Sequence, residues 1–255
     1  MRSFMSAERR SLAALLAASL LVAAPAPLVA QVAPDQPPPT AGEAAYNLHQ
    51  IVARYIDWRG PAFRELQTVH ERLYVETQAG REPGALWMDR DGRMWRELDD
   101  AGVKTVQAAA PGGAWKTGAD GKIADDPGAV ERARRYALLQ FGDAFTGRGG
   151  ANVALAGTAE VEDRTWSVVR VSFGDADAYE ALIDPATGAL CCYRITESGV
   201  ARTEMFGDWR LQDGVRMPFA ELVTAGAETG VRISAIELNR DLDPTLFRRP
   251  AAGGG

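Results

Sequence analysis

Between Ala178 and Asn239, five runs of strand-forming residues follow one another with a turn signal in every gap. The runs are Ala178–Asp184, Ala189–Thr196, Val200–Leu211, Val215–Ala225 and Val231–Asn239. The gaps hold Pro185-Ala186-Thr187-Gly188, Glu197-Ser198-Gly199, Asp213-Gly214 and Gly226-Ala227-Glu228-Thr229-Gly230. Pro, Gly, Asp and Ser at those points supply the fixed or positive φ angles that chain reversals require, so the stretch is predicted to be an antiparallel meander. Period-2 geometry then puts Val215, Met217, Phe219 and Val223 on one face of their strand. Met205-Phe206-Gly207-Asp208-Trp209 places large apolar groups on both parities, which predicts a bulge or bend at Gly207. Pro218 has no amide hydrogen, so its strand is either an edge there or locally broken.

The residues before the meander supply helices and further strands. Leu48, Ile51, Val52, Tyr55 and Ile56 fall at helical spacing, predicting a helix over about Gly42–Asp57 that Gly60 and Pro61 end. Glu65–Thr77 reads as a long strand. Ala85–Asp89 and Arg93–Leu98 flank Arg90-Asp91-Gly92, a three-residue hairpin loop that sets Trp87 opposite Trp95 and Met88 opposite Met94. Both faces of that hairpin are apolar, more than a half-solvated sheet needs. Val103–Ala108 and Gly113–Lys116, the latter carrying Trp115, add two short strands. Asp125 or Asp126 caps a second helix with Pro127 in its first turn, running to about Phe145. Asn152–Val161 and Thr165–Phe173 form another hairpin. The expected fold is mainly β with two helices, α+β in class. Its curved antiparallel sheet of about eleven strands forms a half-open barrel whose concave face the helices lid.

Arg9 and Arg10 precede an apolar run from Leu12 to Val29 that ends at Ala30, the pattern of a secretory signal peptide cleaved at Ala30–Gln31. The expected organisation is a signal peptide over 1–30, a Pro-rich leader over 31–42, one domain over 43–250 and a flexible tail over 251–255. Removing residues 1–30 takes away Arg2, Arg9, Arg10 and Glu8 and moves the formal charge from −6 to −8. Such an acidic chain is a poor electrostatic match to nucleic acid or anionic lipid surfaces. Cys191 and Cys192 are adjacent in a predicted strand, where neighbouring side chains point to opposite faces, so no disulfide framework is expected. His49 and His70 are the only histidines, and no cluster with metal-ligand spacing exists, so neither a metal nor another cofactor is expected. No Gly-x-Ser-x-Gly, His-Glu-x-x-His or Walker loop occurs, and no catalytic residue is assigned.

Ile183-Asp184-Pro185-Ala186-Thr187-Gly188, the run Phe206-Gly207-Asp208-Trp209-Arg210 leading to Met217-Pro218-Phe219, and Asn239 with Leu242-Asp243-Pro244 and Phe247 resemble bacterial outer-membrane lipoprotein-sorting proteins of the LolA/LolB-like superfamily. The likeness in element order spans Glu43–Pro250, and the specific wording Ile183–Pro250. The resemblance implies a half-barrel enclosing an apolar cavity, and hence a periplasmic carrier or sensor of a lipid, acyl chain or other hydrophobic ligand. Trp87, Trp95, Trp115, Met205, Trp209, Met217 and Phe219 are the expected cavity-wall residues. The alternatives are an adaptor subunit that binds an envelope protein through a sheet edge or the Trp-rich hairpin, and an exported hydrolase. Neither a nucleic-acid partner nor a transmembrane segment in the mature chain is expected.

Overall fold

The computed structural model describes residues 46–77, 80–100, 102–174, 177–197 and 199–250. The expected signal segment, the whole of the leader, residues 43–45 of the expected domain and the tail lie outside these residues. Helix α1 is Leu48–Arg59 and helix α2 is Gly128–Gln140. Six strands lie between them: β1 (Thr68–Thr77), β2 (Gly80–Asp89), β3 (Met94–Asp100), β4 (Val103–Ala110), β5 (Gly113–Thr117) and β6 (Ile123–Asp125). Seven follow: β7 (Asn152–Val161), β8 (Arg164–Ser172), β9 (Ala178–Ile183), β10 (Leu190–Glu197), β11 (Val200–Gln212), β12 (Val215–Ala225) and β13 (Ala227–Leu238).

All thirteen strands join one sheet in the order β6-β5-β4-β3-β2-β1-β13-β12-β11-β10-β9-β8-β7, with every described pairing antiparallel. The sheet is therefore two meanders joined where β1 pairs with β13, and it does not close on itself. It has more strands than the eleven expected. Three-residue β6 carries too little pattern to read, yet it pairs with β5 through Trp115–Asp125 to Thr117–Ile123. The hairpin register is as expected, with Trp87 opposite Trp95 and Met88 opposite Met94. Strand β13 starts earlier than its apolar pattern does. Gly226, at φ +84°, turns the chain alone, so Ala225 pairs with Ala227 and Glu228 and Thr229 join the ladder.

Two irregularities shape the long strands. The bend expected at Gly207 falls one residue later, at Asp208, whose φ is +49°. Pairing is interrupted there, between Gly207–Ala220 and Trp209–Pro218. Pro218 lies in a central strand, but the β12–β13 ladder begins only at Ala220, so no sheet hydrogen bond to β13 is lost at the proline.

Both helices sit on the same face of the sheet. Ile51, Tyr55, Ile56 and Arg59 form the buried stripe of α1, and Gly60 at φ +112° ends that helix. A Cβ at Gly60 would stand 2.3 Å from the Gly214 carbonyl oxygen, so only glycine allows the helix end to meet the β11–β12 turn. Helix α2 is shorter than expected. It stops at Gln140 because Gly142 turns left-handed at φ +76°, and a separate 3-10 turn takes up Ala144–Thr146. Ala129 and Ala133 of α2 pack on Ala109 and Ala114, with Met94 and Val130 alongside.

Candidate functional site

Contacts with the helices identify the concave face. Met94, Ala109 and Ala114 touch α2. Tyr193 of β10 meets both helices: its hydroxyl lies 3.5 Å from the Tyr55 hydroxyl and donates to the Leu139 carbonyl at 3.4 Å. Met217 of β12 accepts from Arg59 at 3.5 Å through its sulfur. Side-chain alternation from these anchors puts Glu71, Leu86, Arg96 and Gln107, in register across β1 to β4, on the same concave face. Glu204, Phe206 and Glu221 of β11 and β12 join them, with Phe206 edge-on to the Tyr193 ring at 5.3 Å.

Electrostatics shows that these two walls face each other. In the sheet, β3 is five strand spacings from β11, or about 24 Å if the sheet were flat. Yet Tyr136 of α2, Glu221 of β12, and Glu204 and Arg202 of β11 all act on the charge of Arg96 in β3. The sheet therefore curls until its two halves oppose each other beneath α2. Tyr136 lies within reach of the charges of Glu204, Glu221, Glu71 and Arg202 together, which puts it on the concave side of α2.

Burial sets the protonation of this group. Desolvation pushes Glu71 up to about 7. Desolvation, then the charges of Glu71 and Glu204, hold Glu221 well above the usual carboxylate range, against the pull of Arg96. Burial depresses the Arg96 guanidinium, while Tyr136, Glu221 and Glu204 support it. Glu204 is buried and accepts from Arg202 Nε at 2.9 Å, but its Oε2 atom has no hydrogen-bond partner. Arg202 is shared, since its second contact is to Glu197 at 2.7 Å.

The expected cavity-wall residues divide between the faces. Trp209 and Met217 lie on the helix side: Trp209 packs edge-on to Trp58 of α1 at 4.7 Å, and Met217 meets Arg59. Phe219 is buried between Met217 and Glu221 in sequence, with the Arg210 guanidinium 4.3 Å above its ring. The structure brings Trp87, Trp95 and Trp115 together, but on the outer face. Trp87 stacks on His70 with ring centroids 3.6 Å apart, and Trp95 continues the row through Ala108 to Trp115. Trp115 donates to the Phe247 carbonyl at 3.2 Å, so the C-terminal 3-10 turn Pro244–Phe247 covers this row. Met205 is also outward, packed against the cluster of Trp166, Val168, Leu182 and Cys192. The hairpin is apolar on both faces because each face has its own cover, α2 inside and the C-terminal segment outside.

Sequence reasoning passed over Glu71, Arg96, Tyr136, Glu204 and Glu221. The signal was present in the strands. Glu71 stands between Val69 and Leu73, Arg96 between Met94 and Leu98, and Glu221 between Phe219 and Val223, each at an apolar parity. A charged residue in an inward series is the mark of a polar site within a core.

Two pockets lie at the margins of this arrangement. One of about 290 Å³ lies between Gln212-Asp213 and the β13 end, Ile236–Arg240. The other, about 210 Å³, opens between the C-terminal ends of the helices, with Ile56, Phe63 and Phe141 among its lining and Arg64, Arg90 and Asp143 contributing charge. No group of three metal-ligating side chains occurs among the described residues, and no described helix is long and apolar enough to cross a membrane. Cys191 and Cys192 are both free.

No protein-family model matches the sequence, nor does any curated protein. Solved structures do match. A LolA superfamily protein from Nitrosomonas europaea superposes with a TM-score of 0.54 at 11% identity, over 80% of this chain and 99% of that one. A DUF1329 family protein from Desulfovibrio piger gives 0.53 at 10% identity, over 79% and 97%. A putative outer membrane lipoprotein-sorting protein domain from Vibrio parahaemolyticus gives 0.50 at 12% identity, over 79% and 97%. With its open antiparallel sheet curled beneath two helices, the chain has a LolA-like fold.

Proposed function

We propose that this protein is an exported, periplasmic carrier that holds an acyl chain or another hydrophobic ligand between its concave sheet and its two helices, without catalysing a reaction. The observation carrying this reading is the curl of the sheet beneath α2, which sets Leu86 and Phe206 on opposing walls that the helices cover. The likeness to a lipoprotein-sorting domain supports it, as does the basic and apolar segment before Ala30. In the same proposal residues 1–30 are removed on export, and residues 43–250 act as one domain. Native mass spectrometry of protein purified from its own cell envelope, followed by lipid extraction, tests the reading. A bound mass released as lipid is expected, and protein recovered ligand-free even with lipid in excess contradicts it.

The open sheet edge favours a second reading. Strand β7 is paired only on its β8 side, is mostly exposed over its ten residues, and presents Leu155 at 43% exposure. An envelope protein that adds a strand there would make this chain an adaptor. A ligand-free protein that co-purifies with one stoichiometric partner is the result that would select this reading.

A further inference from the structure

A bulge in β10 gathers three sulfur-bearing side chains on the outer face of the sheet. Leu190 pairs with Ile183 and Cys192 with Leu182, so Cys191 is the extra residue in that ladder. Regular alternation would send Cys191 to the concave face, opposite Cys192. Instead both cysteines pack on one outer cluster with Trp166, Val168 and Leu182. The expected separation of the two thiols therefore fails, because a bulge re-aims a side chain at the expense of a ladder position. Met205 of β11 stands opposite Cys192 in register and packs on the same cluster. Opposed residues have Cβ atoms about 5 Å apart, within the span of a flexible thioether. Cys192 is buried, whereas Cys191 and Met205 are half-buried, so the group is closed on the sheet side and reachable from solvent. Both thiols are free. Cys192, as donor to Cys191, holds the Cys191 thiol below its ordinary value; Arg194 and Arg164 act in the same direction, while burial and Glu162 oppose it.

We infer that Cys191, Cys192 and Met205 form a binding site for a soft monovalent cation of the copper(I) class. Thiolate and thioether sulfur select soft ions over hard ones. Zinc is a poorer match, since its structural sites take four ligands and no three His, Cys, Asp or Glu gather among the described residues. Methionine supplies the third ligand here, and a neutral thioether suits copper(I) better than zinc. On binding, each thiol releases its proton to solvent as its sulfur–copper bond forms, and no electron is transferred. Two thiolates and one copper(I) leave a single negative charge, which Arg194 and Arg164, already acting on Cys191, offset. The site lies on the face opposite the helices, so it stands whatever the concave face holds.

The test titrates the reduced full chain under nitrogen with copper(I) buffered by bicinchoninate, and in parallel with zinc(II). Wild type is compared with Cys191→Ser, Cys192→Ala and Met205→Leu, with thermal melts confirming that each variant folds. Wild type is expected to take one copper(I) per chain, with near-ultraviolet thiolate-to-copper absorption and a sulfur-only shell in X-ray absorption, and to bind zinc(II) at least about a hundredfold more weakly. Cys191→Ser and Cys192→Ala are each expected to weaken copper(I) binding about a hundredfold or more. Met205→Leu, which keeps the volume and loses the thioether, weakens it about tenfold. No copper(I) taken from the competitor, or wild-type affinity in Cys191→Ser, overturns the site. Wild-type affinity in Met205→Leu, or nitrogen or oxygen in the metal shell, overturns the three-sulfur assignment.

Discussion

The Arg59 guanidinium donates to the Tyr55 hydroxyl at 2.9 Å, one helical turn earlier on α1, and both side chains are buried. Its other nitrogens reach the Arg216 carbonyl at 3.0 Å and the Met217 sulfur at 3.5 Å, and its carbon stands 4.2 Å from the Phe63 ring centroid. Ring faces and neutral acceptors hold this charge, and no described carboxylate is paired with it. The arginine therefore fastens the C-terminal end of α1 to β12. Arg59→Ala is expected to cost about 3 kcal/mol, from a cavity plus orphaned acceptors, and Arg59→Met only about 1 kcal/mol because it refills the volume. Urea unfolding of both variants checks this, and equal losses would assign the whole effect to the hydrogen bonds.

The two helices are not seated equally deeply, and that difference predicts which of them opens. The first turn of α1 carries exposed His49 and Gln50, whereas α2 buries Ala129, Ala133, Ala137, Leu138 and Leu139. Hydrogen exchange is expected to be faster at Leu48–Ile51 than at Ala133–Leu139, and to slow at Leu48–Ile51 when an acyl ligand is added. Equal protection of the two helices, unchanged by ligand, would place the entrance elsewhere.

Gly188, in the turn between β9 and β10, provides an independent test of α1 docking. Its φ is +81°, and a Cβ there would lie 2.2 Å from the Arg54 carbonyl oxygen. Arg54 in turn donates to the Pro185 carbonyl at 2.5 Å. Gly188→Ala combines backbone strain with a collision against backbone, so a loss of about 3 kcal/mol is expected, with faster exchange throughout α1. An unchanged unfolding midpoint would mean that the helix does not seat against this turn.

The fold was largely legible because turns and alternation are local signals. Asp213-Gly214, Arg90-Asp91-Gly92 and the run Val215–Ala225 announce their own geometry, and the hairpin register followed from loop length. Which face of each strand is concave was not legible. Trp87 and Trp95 are apolar at one parity and Met88 and Met94 at the other, and only the docking of α2 on Met94 and of the Phe247 segment on Trp115 assigns the sides. Those contacts link residues far apart in sequence. The proximity of Arg96 to Glu204 depends on the curl of the whole sheet, which no window of sequence contains. Glu71 and Glu221 were visible as charged residues in apolar series, but their meaning needed the opposing wall.

Glu71 gives the protein a pH dependence of definite sign. Folding raises its pKa from 4.5 to about 7 by desolvation, so the folded protein keeps a proton that the unfolded chain releases over that interval. Stability from this group is intact below pH 4.5 and falls as the pH rises towards 7, by at most about 3 kcal/mol at about 1.4 kcal/mol per pH unit. Glu71→Gln carries no such proton. The variant is expected to gain on the wild type between pH 5 and pH 8 in urea unfolding, and parallel stability profiles would refute the burial of that carboxyl.

The central claim is that ligand occupies the concave face beneath the helices. Photolabelling of the full chain with a diazirine-bearing fatty acid, followed by peptide mapping, tests it most directly. Saturable adducts are predicted on concave and lid peptides containing Leu86, Tyr136, Trp209 or Met217, with unlabelled palmitate competing them away. Adducts confined to outer-face peptides containing Trp115 or Met205, or labelling that palmitate does not suppress, would contradict the account.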